Sequence, residues 1–425
     1  MTRFIFRVLL TLVLFGGTLD GQANRTAPRP EPYGQDSFAP DRSDPAAAGM
    51  IPDRLARIAP RMKEFVNAGK TAGIVTLVAR HGHVASLDAV GYQDLASRTP
   101  MKADSIFRVM SVSKPITCAG VMTLVDEGRV SLFDPVEKFI PEFSGIRVNP
   151  CGTRNGFDCQ LVPAARPITV LDLMTHMSGL GEPGAARGAG PAPASRADLI
   201  ATSAQRMNLI FQPGTAWHYT NFGIGVLGRI IEVASGQSFD DFMSARIFSP
   251  LGMTDTSFQV QPAKASRVAT VYTTSSGKLA PLEPSQIRSG GISSPDSGVL
   301  STAVDLARFL QMMLNKGTLN GRTVLSPAAV EAMTVSHTGT LPAGYSPGAG
   351  QGFGFEVVRE PLGMSRYTSL GTFEKAGFYR TYIWADPAKD LLGVILMQRN
   401  MGGYQADMAD EVNVFMAMAA AAIAR

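Results

Sequence analysis

The stretch from Phe107 to Phe133, FRVMSVSKPITCAGVMTLVDEGRVSLF, places a serine and a lysine three residues apart at the start of an apolar helix. Residues with this spacing lie on the same face of a helix, one turn from each other. If the lysine is buried and deprotonated, it can accept the hydroxyl proton and make Ser111 a nucleophile without histidine. Burial of the helix is indicated by four apolar positions, Ile116, Val121, Leu124 and Val125.

This short pattern has a second interpretation, because Ser111 could be a helix N-cap and Lys114 a surface lysine. Another Ser-x-x-Lys, Ser275 to Lys278, lies in a Thr/Ser/Gly-rich turn, where a solvated, protonated lysine cannot act as a base. Ser111 differs because backbone N–H groups and the dipole at a helix N-terminus favour an oxyanion and a neutral lysine. Pro115 is acceptable there, since the first turn does not need its N–H.

Composition predicts a well-buried globular protein. The chain has 425 residues, of which 45% are hydrophobic and 17% charged, and this excludes a mostly disordered protein. The net charge of +4 is spread without a run of five basic residues. We therefore expect no nucleic-acid partner.

Residues 1–23 are predicted to be a signal peptide. Arg3 and Arg7 supply positive charge, Val8 to Phe15 is nearly all apolar, and Gly21 and Ala23 suit a cleavage site. The apolar run is too short to span a bilayer. We expect a periplasmic or secreted protein with no stable membrane span after signal removal; a short buried N-terminal helix is the alternative.

The three cysteines fit export. Cys151 and Cys159 lie eight residues apart in a Gly/Asn-rich loop, where a small disulfide is plausible outside the cytosol. Cys118, one turn beyond Lys114, is predicted to be a packed core thiol.

Elements with strand and helix patterns predict an α/β (α+β) fold. Residues 24–50, rich in Pro and Ala, are expected to form a flexible tail, and residues 51–425 one domain with two lobes. Strands at both ends are expected to pair in an antiparallel sheet flanked by N- and C-terminal helices, with an all-helical lobe between and the site in the cleft. The predicted elements are a helix from Ile51, strands Gly73 to Arg80, His83 to Val90, Phe353 to Arg359, Thr381 to Ala385 and Leu391 to Gln398, and a last helix from about Gln405 to Ala422.

Tyr219-Thr220-Asn221 is a second candidate site element. Tyr219 and Asn221, two residues apart before a predicted helix, can share one wall of a cleft. The phenol can relay a proton between the lysine and a leaving group, and the amide can hold a substrate carbonyl. Alone, the pattern also fits an ordinary loop tyrosine.

Lys375-Ala376-Gly377 is the third. From the approach to the strand at Thr381, Lys375 would supply positive charge near Tyr219 and to an anionic substrate. Gly377 would let substrate backbone approach closely. The N–H of Phe378 could join that of Ser111 as an oxyanion hole. A solvated lysine beside a turn glycine is the alternative.

In this order, the three motifs resemble those of the serine β-lactamase and penicillin-binding protein superfamily, in particular its class C β-lactamase-like and family VIII carboxylesterase branch. Three further stretches look like family signatures: ITVLDLMTHMSGL (168–180), SPLGMTDTSF (249–258) and GVLSTAVDLARFLQMMLNKG (298–317). Ala376 stands where β-lactamases usually have Thr, while esterases often lack the lysine that is present here. The resemblance therefore implies a serine hydrolase and leaves both branches open.

Two other patterns are predicted to be structural. Gly344 to Gly348 matches G-x-S-x-G, but Pro347 has no N–H to donate to an oxyanion, so we predict a loop. His176 follows a capping box and is expected to be a hydrogen-bond partner. The histidines lack metal-ligand spacing, so we expect neither metal nor cofactor.

Together these features predict an exported serine hydrolase that forms an acyl-enzyme with a small ester, amide or β-lactam. Ser111 attacks, and Lys114 and Tyr219 share proton transfer, either of them as the acylation base. Asn221, Lys375, Gly377 and Phe378 are expected to bind the substrate. The alternatives are a β-lactamase or D-amino-acid-specific peptidase, and a non-catalytic module that binds peptide or cell-wall fragments.

Overall fold

A large sheet, assembled from both ends of the chain, organises the protein. The computed structural model describes residues 38–152, 159–183, 193–275, 277–283, 291–362, 366–400 and 409–424. The strands are β1 (Ala39–Arg42), β2 (Gly73–Arg80), β3 (His83–Asp94), β4 (Thr99–Pro100), β5 (Phe107–Arg108), β6 (Arg147–Val148), β7 (Val162–Pro163), β8 (Tyr272–Ser275), β9 (Lys278–Pro281), β10 (Leu300–Ser301), β11 (Thr318–Leu319), β12 (Arg322–Thr323), β13 (Ala349–Gln351), β14 (Glu356–Val358), β15 (Phe373–Gly377), β16 (Thr381–Asp386) and β17 (Leu391–Leu396).

Helices occupy both faces of the sheet and most of the middle of the chain. They are α1 (Pro52–Leu55), α2 (Ile58–Asn67), α3 (Ser113–Asp126), α4 (Val170–Met174), α5 (Arg196–Ala204), α6 (Asn221–Ser235), α7 (Phe239–Met243), α8 (Ala303–Leu314), α9 (Pro327–Thr334) and α10 (Ala409–Ala421). Short 3₁₀ turns cover Met110–Val112, Val136–Lys138, Pro141–Phe143 and Pro262–Arg267, and a π turn covers Ser244–Phe248.

The sheet order is β1-β3-β2-β17-β16-β15-β14-β13, with β4 paired to β3. Every pair is antiparallel except β1 with β3. The N-terminal hairpin therefore pairs directly with the last strand of the chain, as the strand patterns predict. The predicted antiparallel sheet is confirmed.

Two hydrophobic clusters lie on opposite faces of this sheet. The outer cluster packs α1, α2 and α10 against the sheet and includes Trp384 and Phe415. The inner cluster joins the other face to the helical region and includes Phe107, Ile116 and Phe355. This arrangement confirms the predicted N- and C-terminal helices on the sheet and the helical lobe beside it.

Several predicted boundaries are wrong. The first helix is interrupted between Leu55 and Ile58, although both side chains are buried on one face as predicted. The strand predicted from Phe353 to Arg359 shortens to β14, because Gly354, at φ 74°, turns the chain between β13 and β14.

Part of the predicted tail is ordered, since Phe38 is buried and β1 pairs with β3. Residues 1–37, including the predicted signal peptide, lie outside the described residues, as do Gln405 to Met408 of the predicted last helix. In the part of the chain that the structure describes, no helix has both the length and the apolar character needed to cross a bilayer. A disulfide joins Cys151 to Cys159.

Candidate active site

Ser111 is presented by a tight turn that runs directly into a buried helix. The turn Met110–Val112 precedes α3, and Met110 has a left-handed backbone with φ 53°. A non-glycine residue in that region stores of order 1–3 kcal/mol of strain, which packing around it must offset. The side chains of Ser111 and Lys114 are buried, at 9% and 0% exposure. Lys114 is therefore not the surface lysine of the alternative interpretation.

Lys114 is held by three oxygen atoms. Its Nζ donates to Oγ of Ser111 at 3.0 Å, to Oδ1 of Asn221 at 2.8 Å and to the carbonyl of Asp296 at 3.0 Å. Burial lowers the pKa of Lys114 to about 8, against an opposing effect of the Asp296, Glu182 and Cys118 charges. The amine can therefore lose its proton near neutral pH and then accept the serine proton across the same 3.0 Å contact.

Tyr219 lies on the other side of the serine. Its hydroxyl donates to Oγ of Ser111 at 2.9 Å, and the Nζ atoms of Lys114 and Lys375 lie 4.8 and 4.9 Å from its ring centroid. Burial raises the pKa of Tyr219, while the Lys375 charge and the hydrogen bond with Ser111 oppose that rise. The phenol thus stays protonated near neutral pH, as a proton donor requires.

Lys375 was predicted on the approach to the strand that begins at Thr381, but it lies within a separate strand, β15. Its side chain is fully buried, and its Nζ finds no hydrogen-bond partner among the described residues. Oε1 of Glu356, on the neighbouring strand β14, lies 3.8 Å away and balances its charge. No sequence pattern predicts a role for Glu356, because only the pairing of β14 with β15 brings it beside Lys375.

The other predicted residues lie around this centre in different ways. A Cβ on Gly377 would lie 2.2 Å from the carbonyl of Val109, so this glycine lets β15 approach the turn that carries Ser111. Phe378 follows it and packs, with Met110, on a small apolar cluster. Ala376 instead packs in the outer cluster, so its side chain lies on the face of β15 opposite that of Lys375.

The side chain of Asn221 contacts Lys114, which was not predicted. Its side-chain oxygen accepts from Lys114, so it holds the lysine, while its backbone N–H donates to Glu182 at the rim. The predicted contact with a substrate carbonyl would therefore use Nδ2 of Asn221 as the donor.

Three further aromatic side chains lie around Tyr219; His176 is the hydrogen-bond partner that was predicted, whereas a place in the site was not predicted for Trp217 or Tyr345. His176 is buried with its ring 4.7 Å from that of Tyr219, and its Nδ1 accepts from the N–H of Thr220 at 3.4 Å. Burial, with the charges of Lys375 and Lys114, holds the pKa of His176 well below its usual value, so the ring is neutral. Trp217 and Tyr345 also lie beside Tyr219, at 6.4 and 5.4 Å between ring centroids.

The G-x-S-x-G match and the second Ser-x-x-Lys lie in a loop and a turn, respectively, as predicted. Residues 344–348 form a loop. Lys278 is exposed in the hairpin of β8 and β9.

Comparison with known proteins agrees with this geometry. The Beta-lactamase family model matches residues 58–414, and the chain belongs to that family. Protein Rv1367c of Mycobacterium tuberculosis is 32% identical over 363 residues, covering 79% of this chain and 88% of its own. Esterase EstB of Burkholderia gladioli is 27% identical over 387 residues, covering 83% and 93% of the two chains. Among solved structures, EstCE1, a hydrolase with promiscuous acyltransferase activity, shares the fold with a TM-score of 0.69 at 22% identity, covering 86% of this chain and 99% of its own.

Proposed function

We propose that this protein is an exported carboxylesterase-like serine hydrolase that acts through an acyl-enzyme on Ser111. The observation that carries the proposal is the placement of one hydroxyl between a buried amine and a buried phenol, at 3.0 and 2.9 Å. Family membership and the similarity to esterase EstB support the same reaction class.

The reaction begins when the neutral amine of Lys114 takes the hydroxyl proton and Oγ of Ser111 attacks the ester carbonyl carbon. The N–H groups of Ser111 and Phe378 are proposed to stabilise the oxyanion. The C–O bond to the alcohol then breaks, and Tyr219 protonates the departing oxygen while Lys114 returns a proton to the phenol. Water then gives a proton to the same pair and attacks the acyl carbon. The bond from that carbon to Oγ of Ser111 breaks, the pair returns the proton to Oγ, and the acid leaves. The net reaction is ester plus water to acid plus alcohol.

Covalent labelling tests this proposal. Intact-protein mass spectrometry after treatment with a fluorophosphonate or p-nitrophenyl butyrate should show one adduct on the wild-type protein and none on Ser111→Ala. Ser275→Ala is the matched control, because it removes the serine of the other Ser-x-x-Lys and should leave labelling unchanged. An unlabelled wild type, or an equal adduct on Ser111→Ala, would reject the proposal. Binding of p-nitrophenyl butyrate without release of p-nitrophenol would favour a binding module.

A β-lactamase is the second candidate, and the buried ammonium of Lys375 beside Tyr219 favours it, since such a group can pair with a substrate carboxylate. Glu356 already balances that charge, which favours neutral esters. Comparing kcat/KM for nitrocefin and p-nitrophenyl butyrate decides between them, and faster β-lactam turnover would reverse our preference.

A further inference from the structure

Two aromatic side chains, Trp217 and Tyr345, lie beside Tyr219 on the side that reaches the surface. Its other neighbours, Lys114, Lys375 and His176, are all buried. Trp217 is partly exposed and Tyr345 is 38% exposed, and their rings lie 5.8 Å apart at 79°. We call these two side chains the aromatic wall.

A buried glutamine fixes the orientation of the Trp217 indole. Its Nε1 donates to Oε1 of Gln351 at 3.3 Å. Gln351 is fully buried, and its own amide donates to the carbonyls of Gly352 and Phe355 at 3.0 and 2.8 Å. The indole is therefore held before any ligand arrives.

A buried carboxylate fixes the loop that carries Tyr345. Oε2 of Glu356 accepts from the N–H groups of Tyr345 and Ser346 at 2.9 and 3.4 Å. Glu356 is the cross-strand partner of Gln351 in the β13–β14 hairpin. One hairpin thus positions both halves of the aromatic wall and also the counter-charge of Lys375, so the wall is built into the site.

We infer that the aromatic wall is the subsite for the alcohol part of the ester and that it favours alcohols carrying an aromatic ring. This inference rests on the proposed function, in which Tyr219 protonates the leaving oxygen. That oxygen must then lie at the phenol hydroxyl, and the group attached to it can extend along Trp217 and Tyr345, whose partly exposed rings lie beside that of Tyr219. Two rings meeting nearly edge to face can enclose a third ring at favourable angles.

Acetate esters of two alcohols of similar acidity, 2-phenylethyl acetate and butyl acetate, test the subsite because both give the same acetyl-enzyme. The wild type should have the larger kcat/KM for the aromatic ester. Tyr345→Ala should lower that value about fivefold to tenfold and change the butyl value less than about twofold. Tyr345→Phe should behave as wild type, and so should Tyr367→Ala, which truncates an exposed tyrosine elsewhere.

Decay of the acetyl adduct, followed by mass spectrometry, should be unchanged in Tyr345→Ala because the alcohol has already left. Equal losses on both esters, or slower deacylation, would show a general structural effect and overturn the inference. Inhibition of the wild type needs no variant: 2-phenylethanol should compete more strongly than butanol, and equal inhibition would also overturn it. A wild type that hydrolyses esters but does not distinguish the alcohols contradicts only this inference, whereas a wild type without Ser111-dependent hydrolysis contradicts the proposed function.

Discussion

Lys114 is a base because the protein makes its charged form unfavourable. The side chain has no access to water, and burial is the main reason why its pKa falls to about 8. About one molecule in ten then carries the neutral amine at pH 7, far more than for a solvated lysine. The neighbouring carbonyl of Asp296 and amide oxygen of Asn221 orient the amine without a full negative charge at hydrogen-bond distance.

This pKa predicts the pH dependence of the reaction. Because the neutral amine is the active form, kcat/KM for p-nitrophenyl butyrate should rise about tenfold per pH unit below pH 7 and level off above about pH 8. Initial rates between pH 5.5 and 9.5 at constant ionic strength, corrected for spontaneous hydrolysis, measure it. A flat profile across this range would show that Lys114 does not act as the base.

Asn221→Asp gives a sharper version of the same test. The substitution keeps the shape of the side chain but places a carboxylate 2.8 Å from Nζ of Lys114. An adjacent negative charge favours the ammonium, so the rise in kcat/KM should move to higher pH by about one unit or more. Ser275→Ala, which changes a residue of the β8–β9 hairpin, should leave the profile in place. A shift to lower pH, or no shift with activity retained, would contradict the role given to Lys114.

At this scale the sequence predicted the centre of the site and missed its surroundings. Ser111 and Lys114 are linked by helix spacing, and Tyr219 and Lys375 by family motifs in order. Glu356 and Tyr345 carry no such pattern. Their positions depend on strand register and on the path of a loop, which only the folded chain determines.

At the scale of elements, the end of β15 lies directly against the turn that holds Ser111. The hydroxyl of Thr381 at the start of β16 donates to the carbonyl of Val109 at 2.8 Å. The sequence did not predict β15, because adjacent charges at Glu374 and Lys375 are typical of loops, although both are buried here. The burial of Lys375 reflects the use of the strand by the site, so a propensity argument fails where function requires an exception.

Gly377→Ala should separate β15 from that turn. The added Cβ would lie 2.1 Å from Oγ1 of Thr381 and 2.2 Å from the carbonyl of Val109, so the backbone must move. We expect a loss of about 1–3 kcal/mol in the free energy of unfolding and a fall of about tenfold or more in kcat/KM, because an oxyanion site tolerates little displacement. Urea unfolding and ester hydrolysis measure the two effects.

Gly225→Ala is the control for that variant. In helix α6 its Cβ would lie 3.7 Å from Ile200, an ordinary contact. Alanine in a helix interior should raise stability by about 0.5–1 kcal/mol with activity retained. If Gly377→Ala were as active and as stable as this control, the packing of β15 on the turn would not set the site geometry.

At the scale of the whole molecule, the last helix supports the site from the opposite face of the sheet. Nη1 of Arg380, in the turn between β15 and β16, donates to both carboxylate oxygens of Glu411 in α10, at 3.0 and 2.9 Å. Each side chain is only 2% exposed. Arg380 directly precedes Thr381, so the ion pair ties α10 to the strand that holds the nucleophile turn.

Glu411→Gln should therefore weaken both the fold and the activity. Removing the carboxylate takes away the charge that balances a buried guanidinium, which typically costs about 3–5 kcal/mol, and it should also lower kcat/KM by loosening Thr381. Glu331→Gln, at an exposed position of α9, is the matched control and should change neither. A double variant, Arg380→Met with Glu411→Leu, should recover part of the stability because it leaves no buried charge. If Glu411→Gln had the same urea midpoint of unfolding as the wild type and kept full activity, the sheet alone would hold the turn. Helix α10 would then only cover the outer face of the sheet.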